Sequence, residues 1–362
     1  MLKILHAADL HLDSPFSGLT PDRAALRREE QRQLLDRLGE LAAQEQVDLV
    51  LLAGDLLDTG RLYPQTAQAL AAALGRIPAP VFIAPGNHDP YNATSPYALP
   101  IWPDNVHIFT SHHPEAVHLP QLGCTVYGAA FTQEQNEFSP LENFCAQGEG
   151  LQIMVLHGNV AGAGYAPISP AHIARSGLHY LALGHIHQAS GLQQTGGTFW
   201  AYPGCPEGRG FDELGEKGVL LITADHTGSC TARQIPVCRR RYEILEADLT
   251  GRPDALAALE ELLPSDTARD IYRLRLTGSF AMDNHLLRQL EEALSPRFWA
   301  LELQDRTRMP QDLWARAKED SLTGLFLQIM AEQCQQQPED ELLQLAARFG
   351  LAALENGEDV AP

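Results

Sequence analysis

The sequence predicts an α/β fold: a two-sheet α/β sandwich flanked by helices, then a small α/β domain and a C-terminal helical segment. Three observations lead there. Apolar runs of strand length alternate with helical patterns through residues 2–237. Short clusters of metal-binding residue types sit at the ends of five of those runs. The composition changes at residues 238–242, and a new strand–helix rhythm starts beyond it.

Residues 2–7 read as the first strand. Residues 23–44 follow a helical pattern marked by Leu26, Leu34, Leu35, Leu38 and Leu41. Residues 47–53 form an apolar run broken only by Asp48, as expected of a strand covered on both faces. An alanine-rich helix spans 64–74 and ends near Gly75 and Pro78. Residues 81–84 make a strand that Pro85-Gly86 turns, and 106–109, 125–128, 153–156 and 180–183 are further strands. The runs at 199–202, 218–223 and 231–236 are expected to form a second sheet. This first domain covers 1–238. The second, 242–308, reads strand (242–249), helix (253–263), strand (271–276), helix (284–294), strand (299–304). Pro253 is expected in the first turn of its helix, and Pro264 ends it. Residues 313–333 and 339–354 form a helical hairpin within 312–355, broken by Gln335-Gln336-Gln337-Pro338.

The 362 residues leave room for more than one core, and 44% hydrophobic with 20% charged residues is ordinary for a globular protein. Met1 to His6 is too short an apolar stretch for a signal peptide and runs straight into the first cluster. No apolar run approaches the roughly 18 residues of a membrane span, so no membrane association is expected. Six cysteines are scattered without a C-x-x-C pair, which fits reduced thiols and a cytoplasmic location. The net charge of −20 opposes a stand-alone grip on nucleic acid. Either the substrate is small, or local positive charge and a partner protein overcome the repulsion.

The five clusters are Asp9-Leu10-His11, Gly54-Asp55-Leu56-Leu57-Asp58, Gly86-Asn87-His88-Asp89, His157-Gly158 and Gly184-His185-Ile186-His187. In an open α/β sheet, residues just past the carboxyl ends of strands gather at one rim. On an extended segment residues i and i+2 point the same way, so Asp9 with His11, and His185 with His187, can share a metal centre. Glycines at 54, 86, 158 and 184 permit tight turns and close backbone approach. Imidazole, carboxylate and carboxamide without thiolate suit Mn, Fe or Zn better than Mg or Ca. The set is large enough for two divalent ions. Their charge exceeds that of Asp9, Asp55 and a bridging hydroxide, so the centre stays positive within an acidic chain. Two such ions about 3.5–4 Å apart make hydrolysis of a phosphate ester feasible without a protein nucleophile. His88, beside Asn87, can touch the phosphate or donate a proton to the leaving oxygen. His6 points away from Asp9 as a strand residue. Asp13 reads as a loop acid, and His107, His112, His113 and His118 as exposed loop residues. The run Arg239-Arg240-Arg241 reads as a solvated linker before it reads as a DNA contact.

These motifs resemble those of the calcineurin-like metallophosphoesterases: D-x-H, GD-x-x-D/H, GNH-D/E, H and GH-x-H. Two further stretches, Pro206-Glu207-Gly208-Arg209 and Glu213-Leu214-Gly215-Glu216-Lys217-Gly218, are similar to the SbcD/YhaO-type DNA repair exonucleases. The resemblance implies the metallophosphoesterase sandwich. It implies that Asp9, His11 and His187 bind one metal, that Asn87, His157 and His185 bind another, and that Asp55 bridges them. It further implies His88 as the catalytic histidine, oriented by Asp58. Mn²⁺ is the implied metal, with Fe²⁺ or Zn²⁺ as substitutes. The implied activities are a 3′→5′ exonuclease on duplex DNA and an endonuclease on single strands. An SbcC-like coiled-coil ATPase is the implied partner, docked on the C-terminal helices, with 242–308 as a capping domain and a homodimer as the assembly. The alternative is a phosphodiesterase or pyrophosphatase acting on a small nucleotide or lipid precursor, which the acidic charge favours.

Overall fold

A computed structural model describes residues 1–58, 64–160, 162, 164–308, 314–338 and 340–356. The chain divides into two compact units, Met1–Arg241 and Tyr242–Pro362. The first opens with β1 (Leu2–Ala7), α1 (Pro21–Gln44), β2 (Leu49–Leu52), α2 (Pro64–Gly75), β3 (Val81–Ile83) and β4 (Val106–Ile108). There follow β5 (Glu115–Leu119), β6 (Cys124–Gly128), β7 (Leu151–His157), α3 (Pro170–Arg175), β8 (Tyr180–Gly184), β9 (Gln193–Thr195) and β10 (Thr198–Ala201). It closes with β11 (Gly218–Ala224) and β12 (Cys230–Pro236).

These strands build two six-stranded sheets, ordered β12-β11-β1-β2-β3-β4 and β5-β6-β7-β8-β10-β9. The strand period of two divides the apolar side chains of the first sheet between two cores. Leu5, Val50, Leu52, Val81 and Ile83 face the helices and meet Leu34, Leu35 and Leu38 of α1 and Leu70 of α2. Ile4, Leu49, Leu51 and Phe82 face the second sheet and meet Val126, Ile153, Val155 and Tyr180. Both faces are therefore buried, which explains the unbroken apolar run of β2. Burying each such side chain contributes about 1.5–3 kcal/mol. The outer face of the second sheet has its own core, where Met154, Leu156, Leu181 and Leu183 pack against Ile173 of α3. The sandwich is thus the expected one, with helices on its outer faces.

Several local expectations change. The runs at 218–224 and 230–236 do not join the second sheet. β11 pairs antiparallel with β1, Leu2 opposite Ala224 through His6 opposite Leu220, and β12 pairs with β11. Only β10 of the three expected strands belongs to the second sheet, where it lies parallel to β8. β11, buried on both faces, carries no local record of which sheet it enters, and β12 follows it as an edge strand. Leu26 of α1 is 55% exposed, so it lies outside the apolar stripe. His107 and His118 are exposed, but on strands β4 and β5 and not in loops. The edge strands β5 and β9, mostly exposed, carry no apolar run that would reveal them.

In the second unit, β13 (Tyr242–Asp248), β14 (Ile271–Thr277) and β15 (Ala300–Asp305) form a parallel sheet, connected by α4 (Ala255–Leu262) and α5 (Asn284–Leu294). Leu274 and Leu276 of the sheet pack against Leu259 of α4 and Leu290 and Leu294 of α5. Asp254 caps α4 by accepting from the N–H groups of Leu256 and Ala257, so Pro253 precedes the cap instead of entering the first turn. Two helices follow, α6 (Leu322–Gln336) and α7 (Glu341–Asn356), packed through Leu327, Met330, Ala347 and Leu351. The expected helical start at residue 313 lies outside the described residues. Residues 316–318 form a single 3₁₀ turn, and α6 begins only at Leu322, with Ser321 as its cap. Among the described residues no helix is long and apolar enough to cross a membrane.

Candidate metal centre

β1, β2 and β3 run parallel in one sheet, and β7 and β8 run parallel in the other. The loops leaving their carboxyl ends meet where the two sheets face each other. Asp9 N–H donates to Gly54 O and His11 N–H to Asp55 O, so the first two loops lie side by side. His157, the last residue of β7, donates from Nδ1 to Ala53 O at 2.9 Å, which ties the second sheet to the first. His185 N–H donates to the Asp9 carboxylate at 3.1 Å. Contact this close needs glycine. A Cβ on Gly184 would stand 1.8 Å from Ala53 O, and one on Gly86 would stand 2.2 Å from Asp55 Oδ1.

The first loop is not extended. Asp9, His11 and Asp13 have φ of +55°, +43° and +71°, and Asp55 and His185 also lie at positive φ, +52° and +107°. Such backbone is strained for residues with a Cβ and clusters at functional sites. Asp9 and His11 still converge, by a left-handed path and not by the alternation of an extended strand.

One ligand atom from each of Asp9, His11 and His187 lies within 4.8 Å of the others, and the same holds for Asp9, Asp55 and His157. Asp9 therefore belongs to both groups. Asp55 also reaches both, its Oδ2 lying 3.7 Å from His11 Nε2 and 3.4 Å from His157 Nε2. Asn87 Oδ1 is 3.0 Å from His157 Nε2. The His185 ring sits 5.2 Å, centroid to centroid, from that of His157, outside the two groups.

The donor set fits a cation on a geometric ground. His157 Nδ1–H is committed to Ala53 O, and His187 Nδ1–H to Glu213 Oε1 at 2.7 Å. Each neutral ring thus turns its Nε2 lone pair inward, the arrangement typical of histidine ligands. His11 Nε2 and His187 Nε2 stand 3.2 Å apart, and His187 Nε2 lies 3.8 Å from Asp9 Oδ1. Lone pairs gathered this closely repel unless positive charge lies among them.

Protonation supplies that charge when no ion does. Burial pushes the Asp9 carboxyl up to about 7, with the neighbouring Asp55 adding to the rise against the pull of His157. Burial disfavours charge on His157 too, yet the Asp55 carboxylate outweighs it and raises the ring to about 9. Asp55 ends well below the usual carboxylate range, because His157 and His11 overcome its burial. Burial and then the charge of His157 lower His185 to about 4. A divalent ion would displace these protons and occupy their electrostatic role.

His88 lies at the open edge, its side chain 50% exposed. Its backbone N–H donates to Asp55 Oδ1 at 2.8 Å, its ring is 4.9 Å from that of His11, and its Nδ1 is 4.0 Å from Asp58 Oδ1. Two residues of the quoted motifs, Asp89 and Glu213, have partners that the sequence did not assign. Asp89 accepts from the N–H groups of Gly86 at 2.7 Å, Asp55 at 3.1 Å, Leu56 at 2.7 Å and Leu57 at 3.1 Å, and from Tyr97 Oη at 2.5 Å. It thereby locks two ligand loops together. Glu213 holds His187 and is itself gripped by Arg209, whose Nη2 lies 2.8 Å from Glu213 Oε1. Asp89 stands beside Asn87-His88 in sequence, so proximity was the available signal. Nothing local links Glu213 to His187. Asp13 is buried and pairs with Arg32 at 3.5 Å, which makes it more than a loop acid. Arg240 pairs with Glu30 at 2.6 Å, so that part of the arginine run is not a solvated linker.

The calcineurin-like phosphoesterase family profile matches residues 2–189, slightly more than half of the chain. The chain is 33% identical over 244 residues to the uncharacterized metallophosphoesterase YhaO of Bacillus subtilis, a match covering 61% of this chain and 57% of that protein. It is 26% identical over 278 residues to the SbcD component of the nuclease SbcCD of B. subtilis, covering 65% and 69%. With the SbcD component of the nuclease SbcCD of Rhodobacter capsulatus it shares 27% over 327 residues, covering 74% and 78%. A rim where two sheets deliver Asp and His from five loops, and a profile match spanning those loops, lead to one conclusion: the chain belongs to the calcineurin-like phosphoesterases, metal-dependent hydrolases of phosphate esters.

Proposed function

We propose that this chain is a two-metal DNA nuclease acting in DNA repair. The observation that carries the reading is the pair of Asp/His groups joined through Asp9 at the rim. Asp9, His11 and His187 would hold one ion and Asn87, His157 and His185 the other, with Asp55 between them. When bound, the ions supply Lewis acidity and charge neutralisation to a phosphodiester. Mn²⁺ suits the mixed nitrogen and oxygen donors, with Fe²⁺ or Zn²⁺ as substitutes. His88, half exposed beside the ligands, donates a proton to the leaving oxygen, and Asp58 at 4.0 Å orients its ring. Glu213 and Asp89 keep the ligands in place and do not touch the substrate.

The nuclease reading draws support from the relatives named as nuclease components and from a second unit larger than a small substrate requires. In this reading 242–308 is a capping domain that helps position DNA, and 312–355 docks an SbcC-like coiled-coil ATPase. Leu325, Ile329 and Leu342 are 54%, 49% and 74% exposed on α6 and α7, apolar surface of the kind that partners cover. A homodimer is the proposed assembly. Cytoplasmic location accords with free cysteines at all six positions. The net charge of −20 favours a second reading, a small-molecule phosphodiesterase or pyrophosphatase.

An assay with Mn²⁺ separates the two readings by comparing a labelled DNA duplex, a nucleotide diester and bis-p-nitrophenyl phosphate. The nuclease reading expects DNA to be cleaved with the highest kcat/KM. Cleavage of the small diesters with DNA untouched would discard it.

A further inference from the structure

The stretch from Glu213 to Gly218 contributes more than the support of His187. Lys217 is only 6% exposed, and among the described residues no carboxylate pairs with it. Its ammonium meets only His187 O, at 3.5 Å. A cation with no carboxylate in reach can take its counter-charge from a bound anion. Beside it lies a cavity of about 170 Å³, lined by Gln188, Gly204, Gln234 and Lys217 among others. Of the metal-centre residues only His187 borders this cavity. Gly204 sits at φ +76°, where a Cβ would meet His187 O at 2.8 Å and Ala189 N at 2.9 Å, so that wall must stay bare. Glu216, the one acid on the lining among the described residues, is exposed, so water screens it.

We propose that this cavity is an oxyanion site of the phosphate class, with Lys217 as its counter-charge. Lysine serves phosphate as a compact point charge, and Gln188 and Gln234, residues whose amides can donate, are also on the lining. The cavity is roomy enough for a tetrahedral oxyanion, and such an ion brings the negative charge the ammonium lacks. Two sources share this chemistry: free phosphate, and a phosphate of a nucleic-acid strand. The site does not rest on the nuclease reading, because its ligand is set by charge and room alone.

The test is calorimetric titration of the full chain with inorganic phosphate under excess chelator, which removes metal-bound phosphate from the signal, with Lys217→Met separating the cavity from the histidines of the centre. Saturable binding is expected, weakened about tenfold or more in Lys217→Met and kept within about threefold in Lys217→Arg. Absence of chelator-resistant binding to the unmodified chain overturns the site, and that arm stands even if a variant fails to fold. Equal affinity in Lys217→Met overturns the role of Lys217. A 5′-phosphorylated oligonucleotide that displaces the phosphate identifies a strand phosphate as the ligand; binding of phosphate without displacement identifies the free ion. Neither result depends on cleavage, so loss of this site and loss of the nuclease reading are separable.

Discussion

At the residue scale, the candidate centre is braced by side chains outside the Asp/His groups. Glu213 fixes the tautomer of His187 through a 2.7 Å hydrogen bond and is held by Arg209 in turn. Its carboxyl stays well below the ordinary range, since the hydrogen bonds from His187 and Arg209 overcome its burial. Replacing such a partner typically costs about 10–100-fold in metal affinity. Glu213→Gln is therefore expected to weaken Mn²⁺ binding by that order, read by calorimetric titration; unchanged affinity would remove Glu213 from the centre. His88 predicts the opposite pattern. Its ring lies at the edge of the ligand groups, so His88→Ala should keep Mn²⁺ affinity while kcat drops by about 10²–10⁴-fold, the span of general acid catalysis. Collapse of metal binding in that variant would mean that His88 is a ligand.

At the element scale, β1 carries a polar residue through the contact between the sheets. His6 is wholly buried, with Nδ1 2.8 Å from Tyr180 Oη and Nε2 3.2 Å from Leu183 O. The neutral ring satisfies both partners, donating to the carbonyl and accepting from the phenol. Burial lowers its pKa to about 3 from 6.5. Between those values the unfolded chain binds a proton that the folded chain refuses. The stability from His6 is therefore complete above pH 6.5 and declines as pH falls toward 3. His6→Gln should cost about 1–3 kcal/mol at pH 7 through lost hydrogen bonds. It should also flatten the loss of stability between about pH 6.5 and 4, measured by urea unfolding at each pH. A slope identical to the parent's would show that His6 titrates normally. The element scale also explains the strained loops. β1 and β2 end side by side, and their left-handed residues turn Asp9, His11 and Asp55 toward one point.

At the scale of the whole molecule, the chain divides into two compact units, and each carries its own prediction. The metal centre lies entirely within Met1–Arg241, built from two sheets that share a core. A chain ending at residue 308 lacks α6 and α7 and should retain bis-p-nitrophenyl phosphate hydrolysis within about threefold, while losing capture of a coiled-coil ATPase partner. Co-purification checks this, and a complex that survives the truncation would discard the docking role. The acidic surface counts here as well. On the nuclease reading, long-range repulsion of DNA should make cleavage rise with moderate salt before screening weakens productive contacts, measured as initial rate across a salt series.

The sequence by itself determined the family, the α/β class and the loops that meet at the rim, because each cluster follows an apolar run and strand ends are local features. It located most strands of the first unit for the same reason. Only the tertiary structure decided that β11 and β12 return to the first sheet, that Asp9 and His11 converge through left-handed backbone, and that Asp89, Glu213 and Lys217 serve or adjoin the centre. Each of those depends on partners far along the chain: a pairing neighbour, a carbonyl that fixes a tautomer, a cavity wall. Local patterning records how a residue faces a core, not which distant element completes its surroundings.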